Sequence, residues 1–314
     1  MTDKTHPGGI SSIGTATVAR VGYGAMQLGE GPSPDDAAAV LRRAVELGVN
    51  HIDTASFYGG GEVNRHIRRA LSPYRDDLVI VSKVGAARAT GGPIPLTAAQ
   101  KPAELRAAVE DDLRQLGLER VPVVNLRRHD LGPKPQIEED QKVDLDDQLA
   151  EMIALRDEGK IGGIGVSSVP LDVLRRALPA GVACVQNAYS LLDRSHEEML
   201  GLCTAAGIAW VPFFPLGSSF PGFPKVADNT VVAEIAGELG LTPAQVGLAW
   251  LLAHAPNMLL IPGTRSIAHL EENIGAADVD LSDDAIARLD AVSKPQDSPR
   301  HHHGIEPFLE APTT

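Results

Sequence analysis

The chain reads as an α/β protein built on one (β/α)8 barrel domain, and three observations carry that expectation. Apolar runs of strand length begin at Val21, Val49, Leu78, Val121, Ile161, Ala183, Ile208 and Met258. Each is followed by a stretch such as Asp35 to Leu47 or Ala103 to Leu116, in which apolar residues recur at helical spacing. Eight such repeats suit a closed parallel barrel better than an open sheet. The third observation is independent of periodicity: Asp53, Lys83 and the end of the Val121 run lie at carboxyl ends of runs, where barrel enzymes keep their active groups. A chain of 314 residues that is 43% hydrophobic can bury a large core. No low-complexity linker divides it, so a single domain over 1–314 is expected. Segments 1–16 and 294–314 are terminal, and an extra C-terminal helix precedes the tail.

Taken in order, the first run ends in G-Y-G-A-M-Q-L-G from Gly22. Gln27 stands where a dinucleotide fingerprint needs its third glycine, so the Rossmann signature fails. The second run opens N-H-I-D-T-A-S-F-Y-G-G-G, Asn50 to Gly61: a short buried strand ending in Asp53, a tight polar turn, then Tyr58 and glycines. The third, L-V-I-V-S-K-V, ends near Lys83. Asp and Lys are almost never buried unless paired, so Lys83 and Asp53 are natural partners. An ammonium held beside a phenol stabilises the phenolate, which makes Tyr58 a usable proton donor.

Two insertions rich in Pro, Gly and charge break the rhythm, at Ala86 to Lys101 and Arg128 to Val143. Long loops without secondary structure are often functional. With the tail beyond Ser293, where Ile305 and Phe308 are the apolar residues, they are the candidate substrate rim. The fourth run, V-P-V-V-N-L-R-R-H-D, carries Arg127 and, two residues on, His129, at the same strand parity. Arg127 can donate hydrogen bonds to a carbonyl oxygen but stays protonated and cannot shuttle a proton.

The eighth run leads into I-P-G-T-R-S-I-A-H-L-E-E-N, Ile261 to Asn273. Small and hydroxyl residues there leave backbone N–H groups for a phosphate at a helix start, and Arg265 adds a fork that suits phosphate oxygens. Barrels repeatedly place phosphate sites after the last strands.

H-I-D-T-A-S-F-Y-G followed by V-S-K-V resembles the aldo-keto reductases, whose Asp, Tyr, Lys and His tetrad reduces carbonyls with NADPH, and the resemblance runs from about Val21 to about Ser293. It implies Asp53, Tyr58 and Lys83 as catalytic residues, with Arg127 at the position of the family's His. By the same resemblance Ser167, Ser168 and Gln186 bind the nicotinamide carboxamide and Phe213 stacks on its ring. Gly24, Ala25 and Met26 join the cofactor set, as do Pro215, Leu216, Gly217 and Ser218 at the start of the Gly217 to Lys225 belt over the pyrophosphate. Thr264, Arg265 and Ser266 would hold the 2'-phosphate, and Glu272 and Asn273 the adenine. Gly263 and His269 stand at cofactor positions that are often basic in the family, which leaves NADH open beside NADPH/NADP+.

The implied function is reversible reduction of an aldehyde or ketone, with alcohol oxidation tolerated and a pH-rate profile lacking an imidazole limb. A rival reading keeps the fold and the nucleotide: a nicotinamide-sensing regulatory subunit, favoured by the missing His and disfavoured by the complete Asp, Tyr and Lys set. A metal-dependent barrel hydrolase lacks ligand spacing, and His301 to His303 read as a polar tail, so no metal is assigned.

The net charge of -13 argues against nucleic acid and anionic membrane as partners. The two cysteines, Cys184 and Cys203, lie in apolar contexts, as suits a reducing compartment. The start lacks the apolar core of a signal peptide, and the longest apolar stretch, near Val246 to Ala253, is too short to span a bilayer. A cytoplasmic protein acting on a small-molecule carbonyl or alcohol is expected, with its oligomeric state left open.

Overall fold

Strands buried on both faces need apolar residues at nearly every position, and the runs read above meet that demand. The computed structural model describes residues 6–29, 31–89, 96–131, 137–218 and 224–292. The tail, with Ile305, Phe308 and His301 to His303, lies outside the described residues, as do the middles of both long insertions. In chain order the elements are β1 (Ile10–Ile13), β2 (Ala16–Ala19), β3 (Tyr23–Gly24), α1 (Pro34–Glu46), β4 (His51–Asp53), α2 (Glu62–Leu71), β5 (Val79–Val84), β6 (Ala86–Arg88), β7 (Leu96–Ala98), α3 (Pro102–Leu116) and β8 (Val121–Arg127). There follow α4 (Leu145–Asp157), β9 (Ile161–Ser167), α5 (Leu171–Ala177), β10 (Val182–Gln186), α6 (Glu197–Ala206), β11 (Ala209–Trp210), α7 (Thr230–Leu239), α8 (Pro243–His254), α9 (Ile267–Gly275) and α10 (Asp283–Val292).

Seven of these strands form one parallel sheet in the order β11-β10-β9-β8-β5-β4-β3. The Met258 run differs from expectation: it makes isolated parallel bridges, Trp210 with Met258 and Val21 with Leu260, and is no strand. Its amides nevertheless reach both edges, Leu259 donating to the Trp210 carbonyl at 2.8 Å and Leu260 to the Arg20 carbonyl at 2.8 Å. The Leu260 carbonyl accepts from the Gly22 amide at 2.8 Å and the Pro262 carbonyl from the Gly24 amide at 3.4 Å, while Pro262 itself has no N–H to donate.

Helices pack against the sheet through the apolar stripes their spacing encodes, with Leu105, Val109 and Leu116 of α3 and Leu149 and Met152 of α4 all buried. Their starts are chemically marked. The Ser33 hydroxyl accepts from the Asp36 amide at 3.1 Å ahead of α1, and Thr242 and Gln245 form a reciprocal capping box at α8. Among the described residues no single helix is long and apolar enough to cross a membrane.

Two hairpins were not read from the sequence. Residues 10–19, assigned in part to the terminal segment, pair as β1 and β2. Ile13 and Val18 pack with Val79, Val123, Ala183, Ala209 and Leu259, residues near the amino ends of the strands, so the hairpin plugs that end of the sheet. The insertion at Ala86 to Lys101 is not structureless: Ala86, Ala87 and Arg88 pair with Ala98, Thr97 and Leu96. That hairpin brings Ala86 and Leu96 against Ala55, Phe57 and Tyr58.

Candidate active site

The turn after β4 explains how Tyr58 comes to face Lys83. Gly59, Gly60 and Gly61 all have positive φ, at 57, 64 and 87°, a region that costs other residues strain. A Cβ on Gly59 would also lie 2.9 Å from the Gly29 backbone. Three glycines thus let the chain reverse tightly and enter α2 immediately after Tyr58. The half-buried Tyr58 ring packs edge-on against Phe57, centroids 5.2 Å apart.

Lys83 and Asp53 are both buried and form an ion pair at the carboxyl ends of β5 and β4. The Lys83 ammonium also donates to the Thr54 carbonyl at 3.0 Å and lies 5.0 Å from the centre of the Tyr58 ring. The second Asp53 oxygen accepts from Gln186 Nε2 at 2.6 Å, so both carboxylate oxygens are engaged. Burial pushes the Lys83 ammonium towards losing its proton, but Asp53 and Tyr58 outweigh it and hold the group above the usual lysine range. Lys83 therefore stays charged.

Behind this cluster lies a buried network absent from the sequence reading. Ser82 donates to one oxygen of Asp112 at 2.6 Å, Asn64 Nδ2 donates to the other at 2.8 Å, and Thr54 donates to Asn64 Oδ1 at 2.7 Å. Burial pushes the Asp112 carboxyl up to about 7, against the pull of the Ser82 and Asn64 hydrogen bonds. The network holds Thr54, whose carbonyl grips Lys83. A signal for it existed: Asp112 interrupts the apolar stripe Leu105, Val109, Leu116 on the inner face of α3.

The neighbouring strand ends are different. Arg127 closes β8 in register with Ser167 of β9. Its guanidinium lies 5.9 Å from the Phe213 ring, and burial lowers its pKa while Tyr58 opposes the fall. Arg127 Nε is buried with no hydrogen-bond partner, as are Ser167 Oγ, Ser168 Oγ and Gln186 Oε1. Asp130 does not pair with Arg127; it accepts from Arg128 Nε at 2.7 Å. His129 is turned elsewhere, its Nε2 lying 3.1 Å from the Gly85 carbonyl oxygen.

The remaining candidates lie at the end of β3, in the turn after β11, and in α9 and the segment leading into it. Gly24 pairs with Asp53 across the sheet, with Ala25 buried and Met26 exposed beyond it. Gly24 and Gly263 approach so closely that a Cβ on Gly263 would meet the Gly24 carbonyl oxygen at 2.6 Å. Thr264 is buried, its hydroxyl accepting from the Ser266 amide at 3.1 Å and its carbonyl from the Tyr23 hydroxyl at 2.6 Å. The Ser266 hydroxyl caps α9, accepting from the His269 amide at 3.3 Å. Arg265 is exposed and lies over Gly31, whose added Cβ would fall 2.6 Å from a guanidinium nitrogen. Glu272 accepts from the Thr242 hydroxyl at 2.5 Å, and Asn273 is buried. Pro215 and Gly217 bridge, and Leu216 and Ser218 follow the same turn; the rest of the expected belt, 219–223, is outside the described residues.

These residues suit a nicotinamide dinucleotide on one structural count. Arg127 Nε, Ser167 Oγ, Ser168 Oγ and Gln186 Oε1 are buried without hydrogen-bond partners at the ends of three adjacent strands, a demand that the donors and acceptors of a carboxamide can meet. A basic cleft lined by Arg65, Arg68, Arg69 and Arg114 lies apart from them, with Arg65, Arg69 and Arg114 already paired to Glu62, Asp35 and Asp111.

The model of the Aldo/keto reductase family matches residues 20–294. The chain belongs to that family. It is 44% identical over 293 residues to pyridoxine 4-dehydrogenase of Escherichia coli, covering 90% of this chain and 98% of that protein. An uncharacterized oxidoreductase of Schizosaccharomyces pombe is 35% identical over 93% of this chain and 92% of its own length. Among solved structures, an aldo/keto reductase from Klebsiella pneumoniae in complex with NADP and acetate has a TM-score of 0.75 at 27% identity, over 92% of this chain and 96% of that one. As an aldo/keto reductase the chain is an oxidoreductase by family.

Proposed function

We propose that this aldo/keto reductase interconverts an aldehyde or ketone and its alcohol using NADP(H), with Tyr58 as the proton donor and acceptor. The barrel is read as eight-staved, residues 258–261 serving as the last stave. The observation that carries the reading is the pairing of a saturated cluster, Lys83, Asp53 and Gln186 beside Tyr58, with unsatisfied buried polar atoms on Arg127, Ser167, Ser168 and Gln186. Buried polar atoms cost about 1–3 kcal/mol each when unpaired, and a ligand that pairs them explains their retention.

Ser167, Ser168 and Gln186 would hold the carboxamide, Phe213 the nicotinamide face, and Thr264 and Arg265 the 2'-phosphate end. When bound, the nucleotide supplies or takes the hydride. As the carbonyl carbon gains its hydride, negative charge grows on its oxygen. Arg127 donates hydrogen bonds to that oxygen, and Tyr58 gives it a proton. The Lys83 ammonium stabilises the phenolate left behind, and Asp53 and the Thr54 carbonyl keep it in place. His129, turned to Gly85, takes no part, so the pH-rate profile lacks an imidazole limb. The named 44% identical relative supports an alcohol carried on a pyridine ring, or its aldehyde, as substrate. In pyridoxine that alcohol carbon is flanked by a ring hydroxyl.

Tyr58→Phe tests the reading. Turnover should fall by at least about a hundredfold while NADPH still quenches tryptophan fluorescence. Turnover retained in the variant removes Tyr58 from the mechanism. Arg265→Ala should weaken NADPH and leave NADH unchanged; equal effects on both would move the 2'-phosphate elsewhere.

A further inference from the structure

We infer that Arg127 is a specificity residue that selects carbonyl substrates bearing a second, ionisable oxygen beside the reacting group, as in 2-hydroxyaryl aldehydes. The inference rests on the proposed reductase reading and deepens it.

A guanidinium at this strand end needs a reason. Its Nε is buried without a partner, no carboxylate among the described residues pairs with it, and the nearest acid in sequence, Asp130, is engaged by Arg128. Beside it stand the Phe213 ring, Tyr58 and the Ser167 strand end. A half-buried cation lacking a counter-charge is costly, and among the described residues no carboxylate offsets it. An incoming anionic oxygen does.

The shape of the group narrows the ligand. A neutral imidazole offers one N–H donor, whereas guanidinium presents parallel donors in a rigid fork. One donor suffices to polarise a lone carbonyl oxygen. Both can crowd onto one carbonyl oxygen, but the parallel fork is matched in geometry by a substrate that presents two acceptors side by side. In a 2-hydroxyaryl aldehyde the carbonyl oxygen and the neighbouring phenolate oxygen lie on one edge of the ring system, and that edge matches the fork. Tyr58 then reaches the carbonyl oxygen from the side of Lys83, and the phenolate oxygen remains with Arg127.

The test compares kcat/KM for benzaldehyde, 2-hydroxybenzaldehyde, 4-hydroxybenzaldehyde and 2-methoxybenzaldehyde with NADPH. The 4-hydroxy compound matches the electronic effect of the hydroxyl without its position, and the 2-methoxy compound matches the position without the charge. The wild-type protein should prefer the 2-hydroxy over the 4-hydroxy compound by about ten- to a hundredfold, the range of a charge-assisted hydrogen bond. The 2-methoxy compound should show no preference. Arg127→Gln should bring the ratio towards unity, and Arg127→Lys, which keeps the charge without the fork, should leave it between. Equal wild-type rates for the 2- and 4-hydroxy compounds overturn the inference without any variant, as does a ratio that survives in Arg127→Gln. If benzaldehyde is reduced without any ortho preference, the reductase reading stands and only this inference falls. If none of the four is reduced by protein that binds NADPH, this inference falls, whereas the reductase reading is decided separately by turnover with pyridoxal and other carbonyls.

Discussion

Lys83 and Arg127 close neighbouring strands of one sheet, yet the protein treats the two cations in opposite ways. Lys83 is enclosed by Asp53, the Thr54 carbonyl and Tyr58, with Gln186 completing the carboxylate and the Asp112–Asn64 network behind. Arg127 has an aromatic ring beside it, a buried Nε with no partner, and unsatisfied Ser167 and Ser168 hydroxyls on the adjoining strand. Buried polar groups are normally satisfied, so the contrast separates what the fold holds for itself from what it leaves for a ligand. On the proposed reading the saturated side keeps a charge fixed beside Tyr58, and the unsaturated side is the place where binding is rewarded.

The comparison breaks most sharply at Lys83. Lys83→Met leaves Asp53 as a buried carboxylate with only Gln186, and should destabilise the protein by about 3–5 kcal/mol and abolish detectable turnover. Thermal unfolding and an NADPH-linked rate assay check both; an unshifted midpoint would mean that the ion pair is not a structural element.

Next comes Asp112. Its carboxyl is pushed up to about 7 by burial, against about 3.9 in an unfolded chain. Between these values the folded protein holds a proton that the unfolded chain has lost, so stability falls as pH rises through that window. Asp112→Asn removes the titration while preserving the shape. The variant should match the wild type near the lower limit and gain on the order of 4 kcal/mol relative to it above about pH 7. Parallel pH profiles for the two proteins would show that Asp112 does not change its charge there.

The smallest effect, with the opposite sign in free and bound protein, belongs to Ser167. Ser167→Ala removes an unsatisfied buried hydroxyl, so the free protein should be unchanged or up to about 1 kcal/mol more stable. NADPH affinity should fall severalfold. A loss of stability with unaltered affinity would place Ser167 on the structural side.

Much of the saturated side was legible because it is local and patterned. Asp53, Tyr58 and Lys83 stand at run ends in two short stretches, and the glycines after Tyr58 announce the reversal that faces the ring towards Lys83. What escaped depends on long-range geometry. The Gln186 side chain, expected to meet a ligand, also holds Asp53 across 133 residues of chain, a contact no spacing encodes. Asp112 was readable as a charge on an apolar stripe, but its partners on α2 and β5 are set by packing. The hairpin of residues 10–19 was missed because Ile13 and Val18 are its only fully buried apolar anchors besides Ala19. At residues 258–261 an apolar run that looks like a strand yields only isolated bridges, although its backbone hydrogen-bonds to both edge strands.

The central claim is that the orphaned polar atoms between Arg127 and Gln186 are the nicotinamide site and that Tyr58 faces it. A crystal structure of the complex with NADP+ tests this most directly. The account predicts the carboxamide bonded to Ser167, Ser168 and Gln186, the ring against Phe213, and the Tyr58 hydroxyl turned towards the nicotinamide. A nucleotide bound with those atoms still unpartnered, or with Tyr58 turned away from it, would contradict the account.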